Sequence, residues 1–192
     1  MCTPGRPQRD SRGLAFDRVG GTEREAFLRK WHAVLRARRL QVRLEPDEPL
    51  PRLGLALCWM EVERFADAIA ILEPLVERHP DLCRGWFHLA EARRRTNAID
   101  AALAAYDETL ACDAEYHQAR FHRGLVHYLR RDAERARADF EALLETPLAA
   151  DRRFAHLHLY LARLLAAAGE RDAALERHAA YVALGGTEPL DE

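Results

Sequence analysis

The chain has 192 residues, 48% of them hydrophobic and 31% charged, with a mean hydropathy of -0.36. That length suits one ordinary domain or an array of small units, and the composition excludes wholesale disorder. The 29 basic and 31 acidic residues leave a formal charge of -2, which disfavours a strongly basic nucleic-acid binder and an acidic tail. Lys30 is the only lysine, so 28 of the 29 cations are arginines, and alanine and leucine dominate the apolar set. This is a helix-forming vocabulary.

The opening residues Met1–Asp10 lack the apolar stretch of a secretory signal, and no later run reaches the length of a membrane span, so a cytoplasmic protein with no membrane partner is expected. Cys2, Cys58, Cys83 and Cys112 form no CxxC pair. Cys58 reads as a small core residue and the others as free thiols; Cys83 and Cys112 could meet only if the helices carrying them converge.

In chain order, residues 1–21 mix Pro, Gly, Arg and Asp without periodicity and read as a flexible arm. From Thr22 a capping-box pattern, Thr22 with Glu25, opens a helix with Phe27, Leu28, Trp31, Val34 and Leu35 at helical spacing. It is expected to run to about Val42 or Leu44, before Pro46 and Pro49. Residues 22–48 thus form a cap or a degenerate half repeat that lays Trp31 and Leu35 on the next helices. Beyond it no segment alternates with period two, so the domain reads as all-α.

The remainder repeats. Ala68, Ala102, Ala136 and Ala174 recur at separations of 34, 34 and 38 residues, the last interval carrying a four-residue insertion near Leu148–Asp151. Twelve positions before each stands another small residue: Ala56, Ala90, Gly124 and Ala162. Two helices whose backbones approach closely need small side chains where they meet, so each unit is expected to be a helical hairpin. The expected units are 49–82, 83–116, 117–150 and 155–186, followed by a tail at 187–192.

These residues resemble the tetratricopeptide repeat (TPR), a 34-residue helix-turn-helix family. The match includes Trp86, Leu89, Ala90, Ala102 and Tyr106 in the second repeat; Leu55, Ala56, Trp59, Ala68, Leu72 and Pro80 in the first; and Leu161, Ala162, Gly169 and Ala174 in the fourth. The third supplies Gly124, Ala136 and Phe140 but has Arg123 at the usual leucine; Ala114 replaces the usual closing proline, and Pro147 lies one residue out of register. The resemblance implies a right-handed α-solenoid of hairpins with an N-terminal capping helix. Gly169 and Asn97 fall where a left-handed residue ends the first helix of a repeat, which both accept easily. Glu63 and Arg131 fall at the same place, so those turns are expected to be costlier or differently shaped.

The resemblance further implies a concave groove, lined by first helices, that holds a partner segment. Helical arithmetic puts Leu50, Leu53, Leu57 and Met60, then Arg84, Phe87, Glu91 and Arg94, on that face. Gln118, Phe121, Leu125 and Tyr128, then His156, Leu159, Arg163 and Ala166, complete it, with His88, His122 and Tyr160 at the margin. The candidate peptide-binding residues are Leu53, Leu57, Arg84, Phe87, His88, Glu91, Arg94, Phe121, His122, Leu125, Tyr128, Leu159, Tyr160 and Arg163. In the binding reading, Phe87, Phe121, Tyr128 and Leu159 anchor apolar groups while Arg84, Arg94 and Arg163 attract carboxylates. In the alternative, the aromatics pack between first helices and the arginines pair along helix surfaces, for example with Glu91. The family's carboxylate clamp for chaperone termini is absent, since Leu53 and Leu57 occupy its first two positions.

The spacings among His117, His122 and His127, and between His156 and His158, put no two imidazoles on one helix face, and HExxH is absent, so no metal site is expected. His88 and His122, equivalent in adjacent repeats, suggest a ladder that gains charge below pH 6. No phosphate loop, GxSxG elbow or catalytic triad is present, and serine is nearly absent, Ser11 apart, so neither catalytic residues nor cofactors are expected. Asp132, Glu134, Glu170 and Asp172 complement helix dipoles. At the far end, the surface around Leu175, Tyr181 and Val182 lacks a polar closing helix and is a candidate for homodimerisation.

The leading expectation is a non-catalytic adaptor or scaffold that binds a protein or peptide segment, acidic and apolar in character, with no nucleic acid. The alternatives are a secretion or assembly chaperone for an aggregation-prone client, and a regulatory subunit that recruits an enzyme.

Overall fold

The computed structural model describes residues 21–190, with side chains from Trp31 onward; the arm expected at the start of the chain lies outside this range. All regular structure among the described residues is helical. The chain divides into two compact units, one extending to Glu108 and the other beginning at Thr109.

The first unit contains α1 (Gly21–Leu44), α2 (Pro49–Glu61), α3 (Phe65–Arg78), α4 (Cys83–Arg95) and most of α5 (Ile99–Cys112). Pro49 occupies the first turn of α2, where its missing N–H leaves no helical bond unmade. Helix α1 lies on α2. Its Trp31 ring meets Trp59 edge-on at 6.5 Å and 69°, while Arg39 and Arg64 sit 5.9 and 4.8 Å from the Trp59 ring. Leu35 of α1 is buried.

The second unit contains α6 (His117–Leu129), α7 (Ala133–Leu144), two 3-10 turns (Pro147–Ala150 and Arg152–Phe154), α8 (Ala155–Ala167) and α9 (Arg171–Ala183). Asp132 caps α7 by accepting from the Arg135 N–H at 3.3 Å. The extra residues between α7 and α8 are held by His158, whose Nε2 lies 2.8 Å from the Ala149 carbonyl oxygen. Adjacent helices pack in pairs, α2 on α3, α6 on α7 and α8 on α9.

The small residues of the repeat pattern mark the inside of these hairpins. Ala56, Ala68, Ala90, Ala102, Ala136, Gly124, Ala162 and Ala174 are all buried. At Gly124 the fit is closest: a Cβ there would lie 2.8 Å from Phe140 Cε1 and 3.0 Å from Asp139 Cβ. Arg123, which replaces an apolar residue of the repeat pattern, points its guanidinium at Asp139 of α7, with Nε–Oδ2 2.9 Å and Nη2–Oδ1 2.5 Å. A two-pronged ion pair therefore stands where the pattern expects an aliphatic contact.

All four hairpin turns take one form. Glu63, Asn97, Arg131 and Gly169 have φ of 59°, 63°, 61° and 84°, and each turn carries the same two hydrogen bonds. In the third, Arg131 N–H donates to the Tyr128 carbonyl and Asp132 N–H to that of His127, both at 3.0 Å. This is the Schellman arrangement, which satisfies the last carbonyls of a helix. The turns at Glu63 and Arg131 are thus costlier without being differently shaped.

The cysteines depart from the sequence expectation. Cys83 and Cys112 are disulfide-bonded rather than free, and Cys58 is a half-buried free thiol rather than a core residue. No helix among the described residues is long and apolar enough to cross a membrane.

Candidate functional site

The first unit presents α2 and α4. Of the residues expected to face a ligand here, Leu57, His88, Glu91 and Arg94 are half-buried and Arg84 is exposed, but Leu53 and Phe87 are buried. Phe87 lies against Tyr106 of α5, ring centroids 6.3 Å apart. The fifth position of these helices therefore belongs to the packing, and the expectation that Leu53 and Phe87 are open anchors is corrected.

The charges of α4 are largely matched at home. Arg94 donates from Nη2 to Glu91 Oε2 at 2.8 Å and from Nε to Oε1 at 3.3 Å, and the buried Tyr106 hydroxyl donates to Glu91 as well. The Glu91 hydrogen bond raises the Arg94 pKa further, and burial followed by the Glu91 charge pushes the Tyr106 phenol up. Arg94 is held by its own helix, pairing along the helix surface rather than standing free for a ligand. Arg84 donates from Nε to His88 Nε2 at 3.4 Å. Burial and then the Arg84 charge lower the His88 pKa from 6.5 to about 4. His88 consequently stays neutral at pH 5.5, and the expected charging of a histidine ladder below pH 6 does not hold for it.

The second unit presents α6 and α8, and its character is aromatic. Phe121, His122, Leu125, Tyr128, Tyr160 and Arg163 are half-buried. Tyr128 and Tyr160 have ring centroids 5.0 Å apart, Phe140 stacks on Tyr160 at 5.9 Å and 19°, and Phe121 meets Phe154 edge-on at 5.5 Å. The rings join the two first helices and are only partly buried, so packing leaves them accessible in part. Leu159 is fully buried with Ala155 and Tyr181, and as an expected open anchor it too is corrected: the end of α9 covers it.

The segment after α9 reads in sequence only as a tail, yet it makes specific contacts with this unit. Gly185, at φ 92°, and Gly186 close another Schellman turn on α9, their N–H groups donating to the Val182 and Tyr181 carbonyls at 2.9 and 3.0 Å. The chain then runs back over α8. Glu188 places Oε1 3.3 Å from His156 Nε2 and Oε2 3.6 Å from Arg163 Nη2. Its carbonyl oxygen lies 3.0 Å from His178 Nε2, and its N–H donates to the Tyr181 hydroxyl at 3.4 Å. Arg163 Nη2 also donates to the Pro189 carbonyl at 3.1 Å, and Leu190 packs against the core of Leu157, Leu161 and their neighbours. Burial, then the Glu188 charge, raises the Tyr160 phenol. Tyr181, expected on an open end surface, is buried, whereas Leu175 and Val182 are exposed. The sequence carried a signal for this seat: Glu-Pro-Leu after a Gly-Gly turn has the acidic and apolar character expected of a ligand.

Among the described residues no group of three His, Cys, Asp or Glu side chains is arranged to hold a metal. Helical hairpins closed by left-handed turns and packed through small residues define the all-α tetratricopeptide-repeat fold. Solved structures similar to it include proteins of that kind. MamA superposes with a TM-score of 0.72 at 17% identity over 86% of this chain and 95% of its own. YrrB, described as a TPR protein with an unusual peptide-binding site, gives 0.69 at 15% over 78% and 75%. A thermophilic TPR protein of Thermus thermophilus, TTC0263, gives 0.58 at 21% over 85% and 87%. No family model and no curated protein matches the chain.

Proposed function

We propose that the chain is a non-catalytic protein-interaction adaptor that binds a partner's peptide segment on the first-helix faces of its units. The observation that carries this reading is the half-exposed aromatic strip of Phe121, Tyr128 and Tyr160. Rings able to bury their edges fully in a core are instead left partly exposed, with Arg163 close to Tyr160, the composition of interface hot spots. The description of YrrB as having a peptide-binding site and the general use of this fold for interaction rather than catalysis support it. The cationic side chains Arg84 and Arg163 favour segments that combine carboxylates with apolar groups.

Copurification of the full chain followed by identification of the bound protein, repeated with Tyr128→Ala and with Arg84→Glu, tests the reading. A captured partner should be retained at least tenfold less well by one or both variants. Equal retention by both would remove these faces from binding.

A further inference from the structure

We propose that the face of α8 and α9 formed by His156, Tyr160, Arg163, His178 and Tyr181 is a binding site for an extended partner segment in which a carboxylate side chain is followed by proline and an aliphatic residue, a site that Glu188–Pro189–Leu190 of the same chain fills in the described structure. The inference deepens the adaptor reading and rests on it, since it names where one such segment binds and by what chemistry.

The contacts are those of a recognition site. His156 and Arg163 bracket one carboxylate. The two backbone carbonyls of Glu188 and Pro189 each meet a ring or guanidinium nitrogen, and Glu188 N–H meets a tyrosine hydroxyl. An extended chain shows alternating side chains and open backbone groups, so this set reads one acidic side chain, one aliphatic side chain and the path between them. Proline suits the path because it has no N–H to satisfy and already favours an extended backbone. The Arg163 side chain is only 14% exposed, and its buried Nε has no hydrogen-bond partner. A buried donor left unmet is unfavourable, and a ligand with one more acceptor than the tail provides would satisfy it.

The tail is a weak but privileged occupant. The ion pair of Glu188 with His156 is half exposed on both sides, so it is screened by solvent, yet the tether keeps the tail at an effective concentration of order millimolar. A partner segment of the same chemistry must therefore displace it, and loss of the tail contacts should raise the affinity for such a segment. Gly186 supplies an independent handle. Its backbone lies directly against the Tyr181 ring, leaving no room for a Cβ, so Gly186→Ala should lift the segment away while keeping its chemistry.

The probe is a fluorescein-labelled peptide of the sequence GGTEPLDE, copied from residues 185–192, titrated into the full chain by anisotropy. Gly186→Ala and the double variant Glu188→Ala/Leu190→Ala should each bind it at least tenfold more tightly than the unaltered chain. Adding Arg163→Ala to the double variant should abolish that gain, and a peptide with Glu188 replaced by Gln should bind several-fold less well. The two release variants act differently, so a folding defect in Gly186→Ala leaves the double variant to decide. No gain in either folded release variant, or a gain insensitive to Arg163→Ala, would overturn the proposal. If that happens while Tyr128→Ala or Arg84→Glu still lowers partner retention, the site on α8 and α9 fails and the adaptor reading stands. If retention is indifferent to both but the peptide behaves as expected, the failure lies with the wider reading.

Discussion

Two arginines on first helices of the two units find their carboxylates in different ways. Arg94 in α4 pairs with Glu91 one turn away on the same helix, and Tyr106 fixes that carboxylate from α5. Arg163 in α8 meets Glu188, which arrives only after α9 and a reversing turn. The first pairing orders one or two side chains; the second also orders the backbone of a whole segment, which opposes it entropically. The α4 charge is thereby neutralised within its own hairpin, while the α8 charge is met by a group from the segment after α9. On similar surfaces, the origin of the counterion separates an arginine fixed within its own helix from the one at the proposed site.

In each unit a buried polar contact also ties the two helices of one hairpin, α4 to α5 and α6 to α7, and breaking these gives the largest expected effects. Asp139→Ala removes the buried carboxylate that takes two hydrogen bonds from Arg123, whose side chain is 22% exposed, and should lower stability by about 3 kcal/mol. Tyr106→Phe removes one hydroxyl from Glu91, which keeps Arg94, and should lower it by about 1.5 kcal/mol. Replacing Arg123 and Asp139 together by leucine should recover most of the first loss, since both charges are then removed from the α6–α7 contact. Denaturant unfolding of the four chains measures this. An Asp139→Ala effect no larger than that of Tyr106→Phe would mean that Arg123 rehydrates freely.

The next effect is confined to the first unit. His88 is held below its unfolded pKa, mainly by burial and then by Arg84, so between pH 6.5 and about 4 the unfolded chain takes up a proton that the folded chain refuses. The stability contributed by the neutral imidazole is complete above about pH 6.5 and is lost progressively as pH falls toward 4. His88→Gln should flatten this part of the stability profile without changing it above pH 7. A profile equally steep in both chains would place the acid sensitivity elsewhere.

How far the sequence anticipated these features depends on the range of the interaction concerned. The small residues were legible because spacing alone reports where two helices of one hairpin touch, and the structure buries each of them. The aromatic character of α6 and α8 was legible in the same way. Burial of Leu53, Phe87 and Leu159 was not, because what covers a fifth-position side chain lies on another helix, as Tyr181 does for Leu159. The Arg123–Asp139 pair was hidden for a related reason: each residue reads as a surface charge until α6 and α7 are laid together. The seat of Glu188 depended on a reversal at Gly185 and Gly186, which sequence marks as a turn without stating its direction.

The smallest expected effect concerns the turns, where each unit contains its own control. The first closes one hairpin on Glu63 and another on Asn97; the second uses Arg131 and Gly169, all four left-handed. A β-carbon in that conformation is unfavourable by about 1–2 kcal/mol, part of which glycine returns through the greater freedom of its unfolded chain. Arg131→Gly should therefore raise stability by about 0.5–1 kcal/mol. Glu63→Gly should gain less, because it gives up an exposed pairing with Arg95 at 3.6 Å that is itself worth at most a few tenths. Asn97→Gly should change little, asparagine already tolerating the conformation. Chemical denaturation midpoints at constant m-value test this order. A destabilising Arg131→Gly would mean that the arginine side chain holds the α6–α7 turn by contacts that outweigh its backbone strain.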